Sequence, residues 1–131
     1  MNTRNRPLSP HLQVYKPQIT SVLSIMHRMT GIGLAAGALV LVLWLGAVSA
    51  GEAYYELAKA VAMHWFGQIF LIGWMWALFY HFCNGIRHMV WDLGLGLEMS
   101  QVRVSGWVVI LASILFTLAS LIVGFEYFGN I

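Results

Sequence analysis

Formal charges divide this chain into three long uncharged stretches: between Arg28 and Glu52, between Lys59 and Arg87, and between Arg103 and Glu126. Each supplies the roughly 20 consecutive apolar residues that a helix needs to cross a bilayer. The pattern predicts an all-α membrane protein with three transmembrane helices, over about 20–49, 61–91 and 104–125. Thr20 or Ser21, just after Pro17, is the expected start of the first helix. A polar arm of residues 1–19 precedes it, and the whole of 1–131 reads as one membrane-anchor domain. Helix two is long enough, at about 1.5 Å per residue, to carry its Arg87–Asp92 end into the headgroup zone or against another protein.

Composition agrees. Hydrophobic residues make up 60% and charged residues 9%, against about 25% charged in an ordinary globular domain. The mean hydropathy is +0.75. A net charge of +2 is too small to point to nucleic acid, so none is expected as a partner. The single cysteine, Cys83, excludes an intrachain disulfide or a cysteine-based cluster. No short apolar run with a small-residue cleavage site opens the chain, and the arm is too short and proline-rich for an amphipathic transit peptide. The first apolar stretch is therefore expected to be a retained anchor, and the lack of a transit peptide favours a bacterial inner membrane over a mitochondrial one.

Arg4, Arg6, Lys16 and Arg28 precede or open helix one, and Arg87 and Arg103 flank the second connection. The first connection, Gly51 to Ala60, has only Lys59 beside Glu52 and Glu56. The positive-inside rule then puts the N-terminus inside and the C-terminus outside. Trp91 and Trp107 would sit at the inner interface, and Tyr54, Tyr55, Trp65 and Tyr127 at the outer one. Gly33 and Gly37 form a GxxxG spacing, expected to pack against a partner subunit in a helical bundle.

Histidines at bilayer depth mark sites by default. His81 and His88 are seven residues apart, so their side chains share a helical face about 10 Å apart along the axis. One iron cannot take both from opposite sides. The spacing suits one axial ligand plus a group at the propionate edge of the same haem, and Gly85 between them leaves room for a flat macrocycle. A pair of histidines bonded to a neighbouring helix explains the spacing equally well, and both readings stay open at this point. A second group, Ser24, Ile25, Met26, His27 and Arg28, lies near the inner end of helix one. Ser24 and Arg28 share a face and suit a carbonyl oxygen or carboxylate, or, alternatively, a backbone-bonded serine and a snorkelling arginine. His27 and Arg28 are donors fit for haem propionates. His64 has an interfacial role by default, and Asp92 reads as a solvated helix-end group or an orienting partner for His88.

Three motifs, in order, carry a family resemblance: Arg6-Pro7-Leu8-Ser9-Pro10-His11 with Tyr15, Ser24-Ile25-Met26-His27-Arg28-Met29-Thr30-Gly31, and His81 through Asp92 with Gly85, Arg87 and His88 in register. Over its whole length the chain resembles the family of succinate dehydrogenase cytochrome b556 subunits, membrane anchors of respiratory complex II. The resemblance implies that His81 is the axial ligand of haem b, with the second axial histidine supplied by a partner anchor subunit. It implies that His27, Arg28 and His88 meet the haem propionates, and that Ser24, Ile25 and Arg28 line a ubiquinone pocket. Its implied partners are that second anchor, an iron-sulfur subunit, a flavoprotein subunit and the lipid membrane. Alternatives of the same architecture are the anchor of a quinol:fumarate reductase and a haem-free structural anchor.

Overall fold

The structure, a computed structural model, describes residues 16–128. The arm's Arg6–His11 motif and Tyr15 lie outside them. Among the described residues four helices follow one another: α1 (Ile19–Ala50), α2 (Glu52–Met63), α3 (Trp65–Asp92) and α4 (Met99–Phe128). Three of them, α1, α3 and α4, are long and apolar enough to span a bilayer. The chain is a multi-pass helical membrane protein, as the charge pattern predicts.

The expected boundaries shift in an informative way. Residues 51–60 were expected to be a connection and 61–91 one continuous helix; instead a separate helix, α2, runs to Met63 and the break falls at His64. Two local features make these breaks. Gly51 ends α1 and opens α2 at φ 116° and ψ 174°, a backbone conformation that a Cβ would strain. His64 is extended, and its Nδ1 accepts the Phe66 N–H at 3.4 Å, so the imidazole caps α3. Gly67 permits the turn to close, since a Cβ there would strike the Val61 carbonyl. An interfacial role for His64 did not anticipate this capping.

The α3–α4 turn is a Schellman closure. Leu95 N–H donates to the Val90 carbonyl at 3.2 Å and Gly94 N–H to that of Trp91 at 2.8 Å, with Gly94 at φ 75°. Met99, not residue 104, then begins α4.

The core is small and joins one residue from each spanning helix: Leu23, Tyr80 and Val109. Tyr80 is wholly buried and its hydroxyl donates to the Leu23 carbonyl at 2.9 Å, pinning α3 to α1. Gly106 lets α4 approach, because a Cβ there would crowd Leu23 Cδ1 at 2.7 Å. Only 6% of the most apolar window of α1 is buried. So much uncovered hydrocarbon is stable only against lipid tails or other membrane helices.

The GxxxG pair does not act as one surface. Gly37 is buried beneath Trp74 of α3, where a Cβ would overlap the indole, whereas nothing lies within 4 Å of a Cβ at Gly33. The close approach at Gly37 is thus within this chain, contrary to the expectation that it serves a partner.

Candidate functional site

The α1–α3 crossing brings three histidines together. His27 and His81 stack with ring centroids 3.9 Å apart and planes at 11°. His88 also lies beside His27, with centroids 5.1 Å apart and planes at 46°. His88 also meets Trp91 edge to face at 5.1 Å. The one-face geometry expected for His81 and His88 therefore holds, and His27 reaches across from α1 to bridge them.

His81 is held by its Nδ1. That atom is 3.1 Å from the His27 carbonyl and 3.3 Å from Thr30 Oγ1. A carbonyl only accepts, so Nδ1 carries the proton when this bond forms. The Thr30 hydroxyl donates to the same carbonyl at 2.9 Å, which turns its lone pair towards His81. The remaining nitrogen, Nε2, is left as a lone-pair donor in the neutral ring. Gly31 leaves room for the ring: a Cβ there would come within 3.1 Å of His81 Cε1. Gly85, between His81 and His88, faces open space, with nothing within 4 Å of its would-be Cβ.

The second group is only partly assembled. Ser24 is half-buried, while Ile25 is 60% exposed and Arg28 is exposed. Ser24 and Arg28 are one helical turn apart on α1.

Three residues with structural roles at the site escaped the sequence reading. Thr30 is buried and positions His81. Asn84 is wholly buried and accepts from Arg87 Nη1 at 3.3 Å. Arg87 was expected in the headgroup zone or against another protein, yet it is 6% exposed and packs on this chain's own α4. It donates to Ser105 Oγ and to the Val102 carbonyl, both at 2.9 Å, and stacks 4.0 Å over Trp91. Trp91 in turn donates to the Gly96 carbonyl. The available signal was spacing: Asn84, Arg87 and Trp91 lie at i, i+3 and i+7 on one helix face. Asp92 is exposed, which agrees with the solvated reading.

A helical anchor with three spans and a histidine set between its first and second spans defines the class. The chain belongs to the family described as succinate dehydrogenase/fumarate reductase transmembrane subunit, which it matches over residues 2–120. It is 46% identical over 113 residues to the succinate dehydrogenase cytochrome b556 subunit of Rickettsia bellii, covering 86% of this chain and 88% of that one. Identity to the Paracoccus denitrificans protein of the same name is 42% over 127 residues, covering 97% and 98%. The cytochrome b560 subunit of Marchantia polymorpha is 37% identical over 127 residues, with 90% of each chain covered.

Proposed function

We propose that this chain is the cytochrome b membrane-anchor subunit of a succinate dehydrogenase, holding haem b together with a second anchor subunit and forming one wall of a ubiquinone-reduction site. It does not itself handle succinate; electrons reach the membrane from a flavoprotein subunit through an iron-sulfur subunit. The reading includes an N-terminus on the inner side and residence in a bacterial inner membrane.

The observation that carries it is the 3.1 Å contact of His81 Nδ1 with the His27 carbonyl. Haem iron is commonly held by a histidine nitrogen, and a ligating imidazole almost always donates its other N–H to a carbonyl or carboxylate. His81 meets that condition through the His27 carbonyl. A buried, unpartnered His27 Nδ1 adds an unsatisfied polar atom beside the same ring. These features fit the group: His81 would ligate the iron, and His27, Arg28 and His88 would meet the propionates. When bound, haem supplies a one-electron redox centre near the quinone.

Within this frame the residues of this chain have definite tasks. The His27 carbonyl and Thr30 hold the His81 ring in one orientation. The His27 ring covers one face of the His81 ring. Arg28 offers two or more N–H donors to a quinone carbonyl or a carboxylate, and Ser24 a hydroxyl one turn away. Ile25 is the apolar contact between them on the exposed face. Protons needed at a quinone oxygen would arrive at this polar end of α1 and not through the apolar half beyond Gly37.

A reduced-minus-oxidised optical spectrum of the purified complex tests the reading, with and without His81→Ala. A b-type band present in the wild type and lost in the variant is expected. A wild-type complex with no such band would remove the cytochrome role and leave only an anchor. The family description also admits the reverse reaction; a complex that prefers a low-potential quinol and reduces fumarate would assign the chain to a quinol:fumarate reductase.

A further inference from the structure

His88 is oriented differently from His81. A hydrogen bond at Nδ1 holds His81, whereas among the described residues His88 forms no hydrogen bond and its ring contacts are with His27 and Trp91. The His27 contact is tilted, at 46°, and the Trp91 contact is edge to face, with centroids 5.1 Å apart and planes at 82°. A ring held this way keeps both nitrogens for another group.

Trp91 is itself held from two sides. Its indole N–H donates to the Gly96 carbonyl at 3.1 Å, and the Arg87 guanidinium lies 4.0 Å over its ring. Gly96, at φ 72°, belongs to the turn between α3 and α4, so the indole is tied to that turn. Arg87 is anchored to α4 through Ser105 Oγ and the Val102 carbonyl, and to α3 through Asn84 Oδ1. Each guanidinium nitrogen has a partner, so the cation cannot leave the indole without breaking buried bonds. Spacing makes the relay direct: Arg87 and Trp91 are i and i+4 on α3, and His88 and Trp91 are i and i+3. Helical side chains lean towards the N-terminus, so one indole meets both residues of the preceding turn.

We propose that Trp91, held by Arg87 and Gly96, is a positioning residue that orients the His88 ring, so that α4 and the α3–α4 turn set the direction in which His88 presents its nitrogens. For its effect on haem the inference rests on the reading of His88 as a group at the propionate edge. Edge-to-face ring pairs favour their held geometry by about 2- to 10-fold. Removing the indole leaves His88 with the His27 contact alone, and other rotamers of the imidazole gain population by about that factor.

The test is a pair of measurements on the intact complex. High-resolution cryo-electron microscopy should show His88 in one rotamer in the wild type and in Trp91→Phe, which keeps an aromatic ring. In Trp91→Leu the same ring should lose that single rotamer. Redox titration of the b-type band should give a midpoint shifted in Trp91→Leu in the same direction as in His88→Ala, with Trp91→Phe near the wild type. In the double variant His88→Ala/Trp91→Leu the two shifts should not add, because Trp91 acts through a ring that is gone. A residue that only packs the helix end would lower thermal stability and leave both the His88 rotamer and the midpoint unchanged. Should Trp91→Leu fail to assemble, Trp91→Met carries both measurements. An unmoved His88 ring in an assembled variant, or additive shifts in the double variant, would overturn the proposal. A wild-type complex with no b-type band would overturn the cytochrome reading instead, and the His88 rotamers would then decide the positioning alone.

Discussion

The imidazole of His81 lies flat on that of His27, while its Nδ1–H is held by the backbone carbonyl of the same His27. One residue of α1 thus meets both the face and the Nδ1 atom of a ring on α3. Relative motion of α1 and α3 would disturb both together, so the geometry at His81 depends on the Tyr80–Leu23 bond that pins the same crossing.

His81→Ala is expected to abolish the b-type band. His88→Ala, which removes a ring tilted against His27, should leave the band in place and shift its position or midpoint potential. Spectra of the two purified variant complexes check this; complete loss in both would contradict the separate roles.

Thr30→Val removes the hydroxyl beside His81 Nδ1 and frees one acceptor site on the His27 carbonyl. Loss of such a supporting contact costs about 10–100-fold in ligation strength. The expected result is lower haem content per complex after detergent purification, with Thr30→Ser restoring it. A pyridine haemochrome assay gives the content directly.

Arg28→Ala should lower quinone reduction while succinate oxidation by a soluble artificial acceptor stays near the wild-type rate. Arg28 is exposed and off the core, so the fold should not suffer. Parallel loss of both activities in a normally assembled complex would show that Arg28 serves assembly and not the quinone.

Arg87→Met leaves Asn84 Oδ1, Ser105 Oγ and the Val102 carbonyl without their buried donor. Bonds to a charged group are worth about 1.5–3 kcal/mol each, and partial relaxation reduces the sum, so a loss of about 2–4 kcal/mol is expected. Arg87→Lys should recover only part of it, because an ammonium lacks the planar fork that reaches three acceptors. Thermal unfolding of the purified complex would rank the three proteins, and equal midpoints would refute the clamp.

Gly37→Val forces the Trp74 indole away and should destabilise the α1–α3 pair by about 1–3 kcal/mol. Gly33→Val has open space and should leave this chain's own fold intact. If Gly33 nevertheless blocks co-purification of the complex, that glycine is the partner's contact. The comparison separates the two halves of the GxxxG spacing.

Hydropathy and charge alone determined the class of protein, the number of spans and their approximate limits, because crossing a bilayer depends on local composition over about 20 residues. Helical periodicity likewise put His81 and His88 on one face. Motif order pointed to the family that the comparisons then bore out. The Gly51–Ala60 stretch was misread as a connection because Glu52, Glu56 and Lys59 dominated its reading. Their spacing on one side of a helix was the sign of a helical segment. What only the tertiary structure decided was which groups from different helices meet. The ring of His27 on His81, Thr30 at the Nδ1 atom, Arg87 turned inwards to α4 and Gly37 under Trp74 all depend on where helices cross. A crossing is set by small residues and side-chain shape on two separate elements, and one-dimensional periodicity does not record which two faces are paired.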